Sequence, residues 1–152
     1  MYIETPSRIH IALIDLNGSY GRVDGGIGLT IEKPGYSMTL AESDRNSLDF
    51  AEKNLPQGVI DEYTLKINRA ADKVREHFGI SDTFAFTVNK TYPSHSGLGS
   101  GTQIALATAK LMTEHAGLHL SSVELAKIVG RAGTSGIGTY GFDLGGFIVD
   151  GG

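Results

Sequence analysis

The chain has 152 residues, a formal net charge of −4 and no cysteine. A domain of that length buries roughly 70% of its unfolded surface, so a core needs no staples, and disulfides and thiolate metal sites are excluded. Its 13 Lys and Arg are scattered among 17 Asp and Glu with no basic stripe, which argues against nucleic acid as the main ligand.

No apolar run approaches a membrane span, and the N-terminus lacks a charged-then-apolar leader pattern. A cytoplasmic protein without a membrane partner is the expectation. Glycine makes up 21 of the 152 residues, about twice the usual share. The glycines gather at residues 18–28, 97–101 and 130–152. That blocking points to backbone-shaped sites rather than to disorder.

In chain order, residues 8–14 read as a strand with Ile9, Ile11 and Leu13 on one face. Asp15-Leu16-Asn17-Gly18-Ser19 carries turn chemistry, and residues 22–28 form a glycine-rich bend. A short strand over 29–31 follows, then a turn at Pro34-Gly35, a strand over 36–40 and a short closing segment over 48–50. Several β-segments before any helix predict an α+β fold rather than a doubly wound one.

The first helix is predicted over 61–78, with Ile67, Ala70, Ala71, Val74 and Phe78 on one face and Gly79 as its stop. Residues 84–90 alternate as a strand, and the small apolar run 104–112 reads as a buried helix ending near Gly117. Ser121-Ser122-Val123-Glu124 is a capping box that opens a third helix, with Val123, Ala126 and Val129 facing inward. Residues 146–150 read as a final strand. Gly136-Ile137-Gly138-Thr139-Tyr140-Gly141 matches a dinucleotide fingerprint in letters alone, since a helix precedes it and a strand follows. Its expected use is a close-approach loop facing the first glycine loop.

The organising stretch is Pro93-Ser94-His95-Ser96-Gly97-Leu98-Gly99-Ser100-Gly101-Thr102-Gln103, between a strand and a buried helix. Glycines and small hydroxyl residues leave backbone N–H groups uncovered at a helix N-terminus, which is the layout of a phosphate site. No Lys follows Gly101, so it is not a Walker A loop, and Thr102 stands where the dinucleotide fingerprint needs glycine. Pro93, Ser96, Gly97, Leu98, Gly99, Ser100, Gly101 and Thr102 are the candidate ligand-binding residues.

This loop resembles the second motif of the GHMP kinase superfamily. Three further blocks sharpen the resemblance: 8–18 with 21–28, 133–142, and 145–152. They are similar to the β-ribofuranosylaminobenzene 5′-phosphate synthase family within that superfamily, found chiefly in archaea. The resemblance implies a ribosomal-protein-S5 domain 2-like fold, with a mixed or antiparallel sheet packed against helices, and a GHMP-type N-terminal domain over 1–152 without its C-terminal partner. It implies a transferase of methanopterin biosynthesis that joins 5-phosphoribosyl 1-pyrophosphate to 4-aminobenzoate, releasing pyrophosphate and CO2. Mg2+ would travel with the pyrophosphate-bearing substrate.

Under that resemblance, Asp15 or Asp24 would face the developing ribosyl cation, and Arg8, Arg22 or His10 would hold a carboxylate or phosphate. Each residue also has a plain use. Arg8 and His10 suit the solvated face of an edge strand, and Asp15 and Asp24 suit turns. Two other readings stay open: a small-molecule GHMP kinase that binds ATP, and a non-enzymatic S5-like binding module. GHMP kinases carry an acid in the pattern Ser-Gly-Ile-Asp, where this chain has Ser135-Gly136-Ile137-Gly138, which speaks against the kinase. A homodimer formed through surface left by a missing domain also stays open.

Overall fold

The computed structural model describes residues 1–14, 17–19, 21, 23–92, 97–131 and 136–152. Strand β1 (Tyr2–Ile14) returns antiparallel into β2 (Gly25–Glu42), followed by the short β3 (Ser47–Phe50). Helix α1 (Gln57–Phe78) crosses over to β4 (Phe84–Lys90), which runs parallel to β3 and antiparallel to β2. Helices α2 (Ser100–His115), α3 (Ser122–Val129) and α4 (Ile137–Asp143) follow before the closing strand β5 (Phe147–Asp150). The architecture is α+β, as its run of early strands predicts.

β2 is the spine of the sheet. One edge pairs with β1 along most of its length. The other edge pairs with β5 over Gly26–Leu29 and with β4 over Ser37–Glu42. The Pro34-Gly35 signal does not reverse the chain. Pairing passes from Ile31↔Ser7 to Tyr36↔Thr5, so residues 32–35 bulge out opposite Pro6 and the strand continues.

The glycine-rich bend expected over 22–28 is corrected in the same way, because Gly25, Gly26 and Gly28 are buried inside β2. A Cβ on Gly28 would lie 2.2 Å from Ile137 Cγ2, and one on Gly25 would lie 2.9 Å from the Asp150 carbonyl oxygen. These glycines let α4 and β5 approach the sheet. Residues 136–141 likewise form most of α4 rather than a loop.

Between the sheet and the outer helices lies α2, buried from Gln103 to Thr113 except at Lys110. Ile104, Leu106, Leu111 and Met112 are at most 1% exposed, and each such side chain contributes about 1.5–3 kcal/mol by leaving water. Alanines at 105, 107 and 109 let the neighbours close in. The buried hydroxyls of Thr108 and Thr113 donate back to the carbonyls of Ile104 and Ala109, at 2.8 and 2.9 Å. From α1, Tyr63, Ile67, Ala70, Ala71 and Val74 close the core on one side. On the other side α3 adds Leu125, Ala126 and Val129.

The far face of the sheet carries Ile9, Leu29, Phe147 and Val149, each between 37% and 64% exposed. The single apolar stripe expected on β1 is broken, because a bulge between His10 and Ala12 pairs Leu13 with Gly26 and turns it to the opposite face from Ile9. No helix among the described residues is long and apolar enough to cross a membrane.

The capping box of α3 forms in full. Ser121 Oγ accepts the Glu124 backbone N–H, and Glu124 Oε2 accepts from the Ser121 backbone N–H and hydroxyl at 2.9 and 2.7 Å. Those bonds hold the Glu124 carboxyl below its ordinary value of 4.5. Its folded pKa is depressed, so its contribution is present above that value and lost as pH falls through the lowered one. Ser121→Ala should lower the melting temperature by roughly 2–4 °C at neutral pH. The gap to wild type should narrow as pH drops from 7 towards 3 in thermal melts, and an unchanged gap would assign the loss to something other than the Glu124 bonds.

Candidate functional site

Beyond β4 the chain reaches Tyr92, and it then delivers Gly97, Leu98 and Gly99 to the start of α2. Gly97 and Gly99 have φ of 76° and 78°, a region that side chains rarely enter. Gly99 is the N-cap of α2 and supplies no side-chain acceptor. Its carbonyl takes the N–H groups of Thr102 and Gln103, at 3.2 and 3.4 Å. Helix geometry leaves the N–H groups of Ser100 and Gly101, the first two residues of α2, without an intrahelical partner. With the helix dipole behind them they suit an anion.

β1 holds this loop in place. The Arg8 backbone N–H donates to the Leu98 carbonyl at 3.0 Å, and the Arg8 guanidinium donates to the Gly97 carbonyl at 3.4 Å. A methyl on Gly99 would lie 2.8 Å from Arg8 Cγ and 2.9 Å from Nε, so the side chain lies across the glycine. Nε is buried with no hydrogen-bond partner among the described residues. Burial lowers the Arg8 pKa, against an opposing pull from Tyr92. Guanidinium stays charged all the same.

Three tyrosines back the arrangement. Tyr92 donates its hydroxyl to the Leu98 carbonyl at 3.4 Å, and Tyr63 donates to the Tyr92 carbonyl at 3.0 Å. Desolvation raises the pKa of Tyr36, Tyr63 and Tyr92. All three stay neutral phenols at physiological pH, so Arg8 faces no internal phenolate.

The opposite wall is the start of α4. Gln103 donates Nε2 to the Gly138 carbonyl at 2.9 Å, and Thr102 lies against Gly138. The Gly136 N–H donates to Asp150 Oδ2 at 2.6 Å, which ties α4 to β5. Residues 136–141 thus do face the first glycine loop, as a helix start.

The structure unites Arg8 with Gly97, Leu98, Gly99, Ser100, Gly101 and Thr102. His10 shares the Arg8 face of β1 by alternation, and its Nε2 is 3.1 Å from the Ala12 carbonyl oxygen. Asp24 is exposed with φ of 61°, next to Gly25, whose β-partner is Ile14. Along β1 that is roughly 20 Å from Arg8. Asp15, Arg22, Pro93 and Ser96 lie outside the described residues.

Four further participants are not among the sequence-predicted site residues. Tyr92 braces the loop and Gln103 spans to Gly138. Lys66 on α1 and Arg131, just past the C-cap of α3, converge on Gly101. Only Gln103 stands inside the glycine motif, where its polarity in an apolar helix is a usable signal. Among the described residues no group of three His, Asp or Glu is placed to hold a metal ion.

Gly97 and Gly99 share the same strain, yet a Cβ on Gly97 meets open space. Gly97→Ala should destabilise by about 1–2 kcal/mol from backbone strain alone. Gly99→Ala should cost more, and Arg8→Ala should remove the excess in a double-mutant cycle read by urea denaturation. Equal losses for the two glycines would show that Arg8 does not press on the loop.

The GHMP kinases N terminal domain family matches residues 65–151. The β-ribofuranosylphenol 5′-phosphate synthase of Methanothermobacter thermautotrophicus is 49% identical over 152 residues, covering 100% of this chain and 46% of the relative. Its namesake in Methanocaldococcus jannaschii is 44% identical over 155 residues, covering 100% of this chain and 47% of the relative. The chain thus spans about half the length of the curated relatives it matches. In fold it is similar to the mevalonate kinase of Methanococcus jannaschii, with a TM-score of 0.65, 19% identity, and coverage of 93% of this chain and 47% of that one. The chain belongs to the GHMP kinase N-terminal domain family.

Proposed function

We propose that this chain carries the phosphate-binding half of a ribosyl transferase of methanopterin biosynthesis, which uses 5-phosphoribosyl 1-pyrophosphate. The observation that carries the reading is the loop at Gly97–Gly101, with uncovered N–H groups at a helix N-terminus and the Arg8 guanidinium across it. Pyrophosphate is a dianion or more at neutral pH, and a leaving group of that charge needs fixed donors and a cation. Names of relatives 44% to 49% identical support the ribosyl phosphate class.

In the proposed reaction the bond from ribose C1′ to the pyrophosphate oxygen breaks. The ring carbon that bears the acceptor's carboxylate then bonds to C1′. Loss of that carboxylate as CO2 returns its electron pair to the ring. The acceptor in our reading is 4-aminobenzoate. The relatives' name contains phenol instead, which the same step would give from 4-hydroxybenzoate. Both substituents push electrons to the para carbon.

In this reading Arg8 holds pyrophosphate oxygens, and His10, farther along the same face, takes the acceptor carboxylate. Asp15 stays as the carboxylate proposed for the ribosyl cation, with Arg22 as a second anion partner. Asp24, roughly 20 Å from Arg8 along β1, is too far from the pyrophosphate to share that role. Mg2+ enters on the pyrophosphate. The exposed apolar face of β1, β2 and β5 is the surface that a second domain would cover.

The ATP-dependent kinase reading is disfavoured because glycine stands at position 138 in place of the acid. A Cβ at Gly138, where the kinases carry their acid, would lie 3.1 Å from Thr102 Cγ2. An aspartate there would need the Thr102 side chain to give by a few tenths of an ångström.

Thermal shift in the presence of Mg2+ tests the proposal. 5-Phosphoribosyl 1-pyrophosphate at 100 times its dissociation constant should stabilise by about 2.7 kcal/mol, a rise of roughly 5–10 °C. ATP should do less. A larger shift with ATP would overturn the transferase reading in favour of the kinase. Arg8→Ala should weaken binding of the ribosyl pyrophosphate roughly 10- to 100-fold by calorimetry, the loss expected for a charged hydrogen bond.

A further inference from the structure

Gly101 is the second residue of α2. Arg131 Nη2 and Lys66 Nζ come to 3.1 and 3.6 Å from the point where it would carry a Cβ. Two cations therefore stand at the positive end of a buried helix, where like charge repels unless an anion lies with them. A concavity of about 270 Å³ opens there between α1 and the C-terminal end of α3. Lys66, Arg69, Lys73 and Arg131 line it against one carboxylate, Glu62.

Two of the four cations are accounted for internally. Lys66 pairs with Glu62, and Lys73 donates to the Val129 carbonyl at 3.0 Å, closing α3. Arg69 and Arg131 have no side-chain hydrogen bond or ion pair among the described residues. A surface meant only for solvation mixes its charges, and the chain as a whole is acidic at −4. A local excess of positive charge in a concave site selects for anions.

We propose that this groove is a second phosphate subsite, adjoining the glycine loop at Gly101. It takes the phosphate at the far end of a ligand whose pyrophosphate occupies the loop. The identity of that ligand rests on the ribosyl-transfer reading, since 5-phosphoribosyl 1-pyrophosphate carries phosphate groups at two ends. Arg69 and Arg131 are its specificity determinants, because guanidinium pairs with phosphate oxygens in bidentate fashion.

Inorganic phosphate followed by amide NMR separates the two sites. In wild type, the amides of Lys66 and Gly130 should respond as one set and those of Gly97–Gly101 as another. The double variant Arg69→Ala/Arg131→Ala, or the Gln pair should the first fold poorly, should silence the groove set and leave the loop set responding. The same variant should weaken 5-phosphoribosyl 1-pyrophosphate at least tenfold in calorimetry, with a stoichiometry of one retained. Groove amides that stay still in wild type, or unchanged affinities in both variants, would overturn the subsite. A responding groove beside a chain that ignores the ribosyl pyrophosphate would uphold the subsite and strike the ribosyl-transfer reading instead.

Discussion

A helix surrounded by protein on nearly every side cannot hand its terminal N–H groups to water by chance, and α2 is such a helix. Its side chains are small or apolar from Ile104 to Met112 apart from Thr108 and Lys110. Its packing against β1, β2, α1, α3 and α4 fixes its axis. Its N-terminus then emerges at one defined place, beneath Arg8 and opposite Gly138. Everything proposed for the site depends on that placement. A loop of the same composition on a frayed surface helix would have neither the dipole nor the neighbours.

The glycines serve two different ends. Gly97 and Gly99 supply positive φ and let the Arg8 side chain lie across the backbone. Gly28 and Gly141 supply close packing, since a methyl on either would fall within 2.6 Å of a side-chain carbon on the facing element. The second group holds α4 against the sheet, and α4 in turn meets the head of α2 through Gln103. The site is thus braced from two sides by positions that never touch a ligand.

Local chemistry was legible in the sequence. Alternation marked β4, the capping box marked α3, and the strand–loop–helix order marked the glycine loop and its likeness to the GHMP kinases. What could not be read was whatever depends on distant segments meeting. Pro34-Gly35 reads as a turn, but continuous pairing with β1 carries β2 through it as a bulge. Ile9, Ile11 and Leu13 alternate in the sequence, yet a bulge between His10 and Ala12 turns Leu13 to the face opposite Ile9. Lys66 and Arg131 stand 65 positions apart and converge only because α1 and the end of α3 flank α2. Periodicity within one segment has no access to such encounters.

In the proposed function the head of α2 holds the pyrophosphate of a ribosyl donor. A crystal structure of the chain with 5-phosphoribosyl 1-pyrophosphate and Mg2+ tests it most directly. Pyrophosphate oxygens should lie within hydrogen-bond distance of the Ser100 and Gly101 N–H groups and of the Arg8 guanidinium. Pyrophosphate bound anywhere else, with that loop empty, would contradict it.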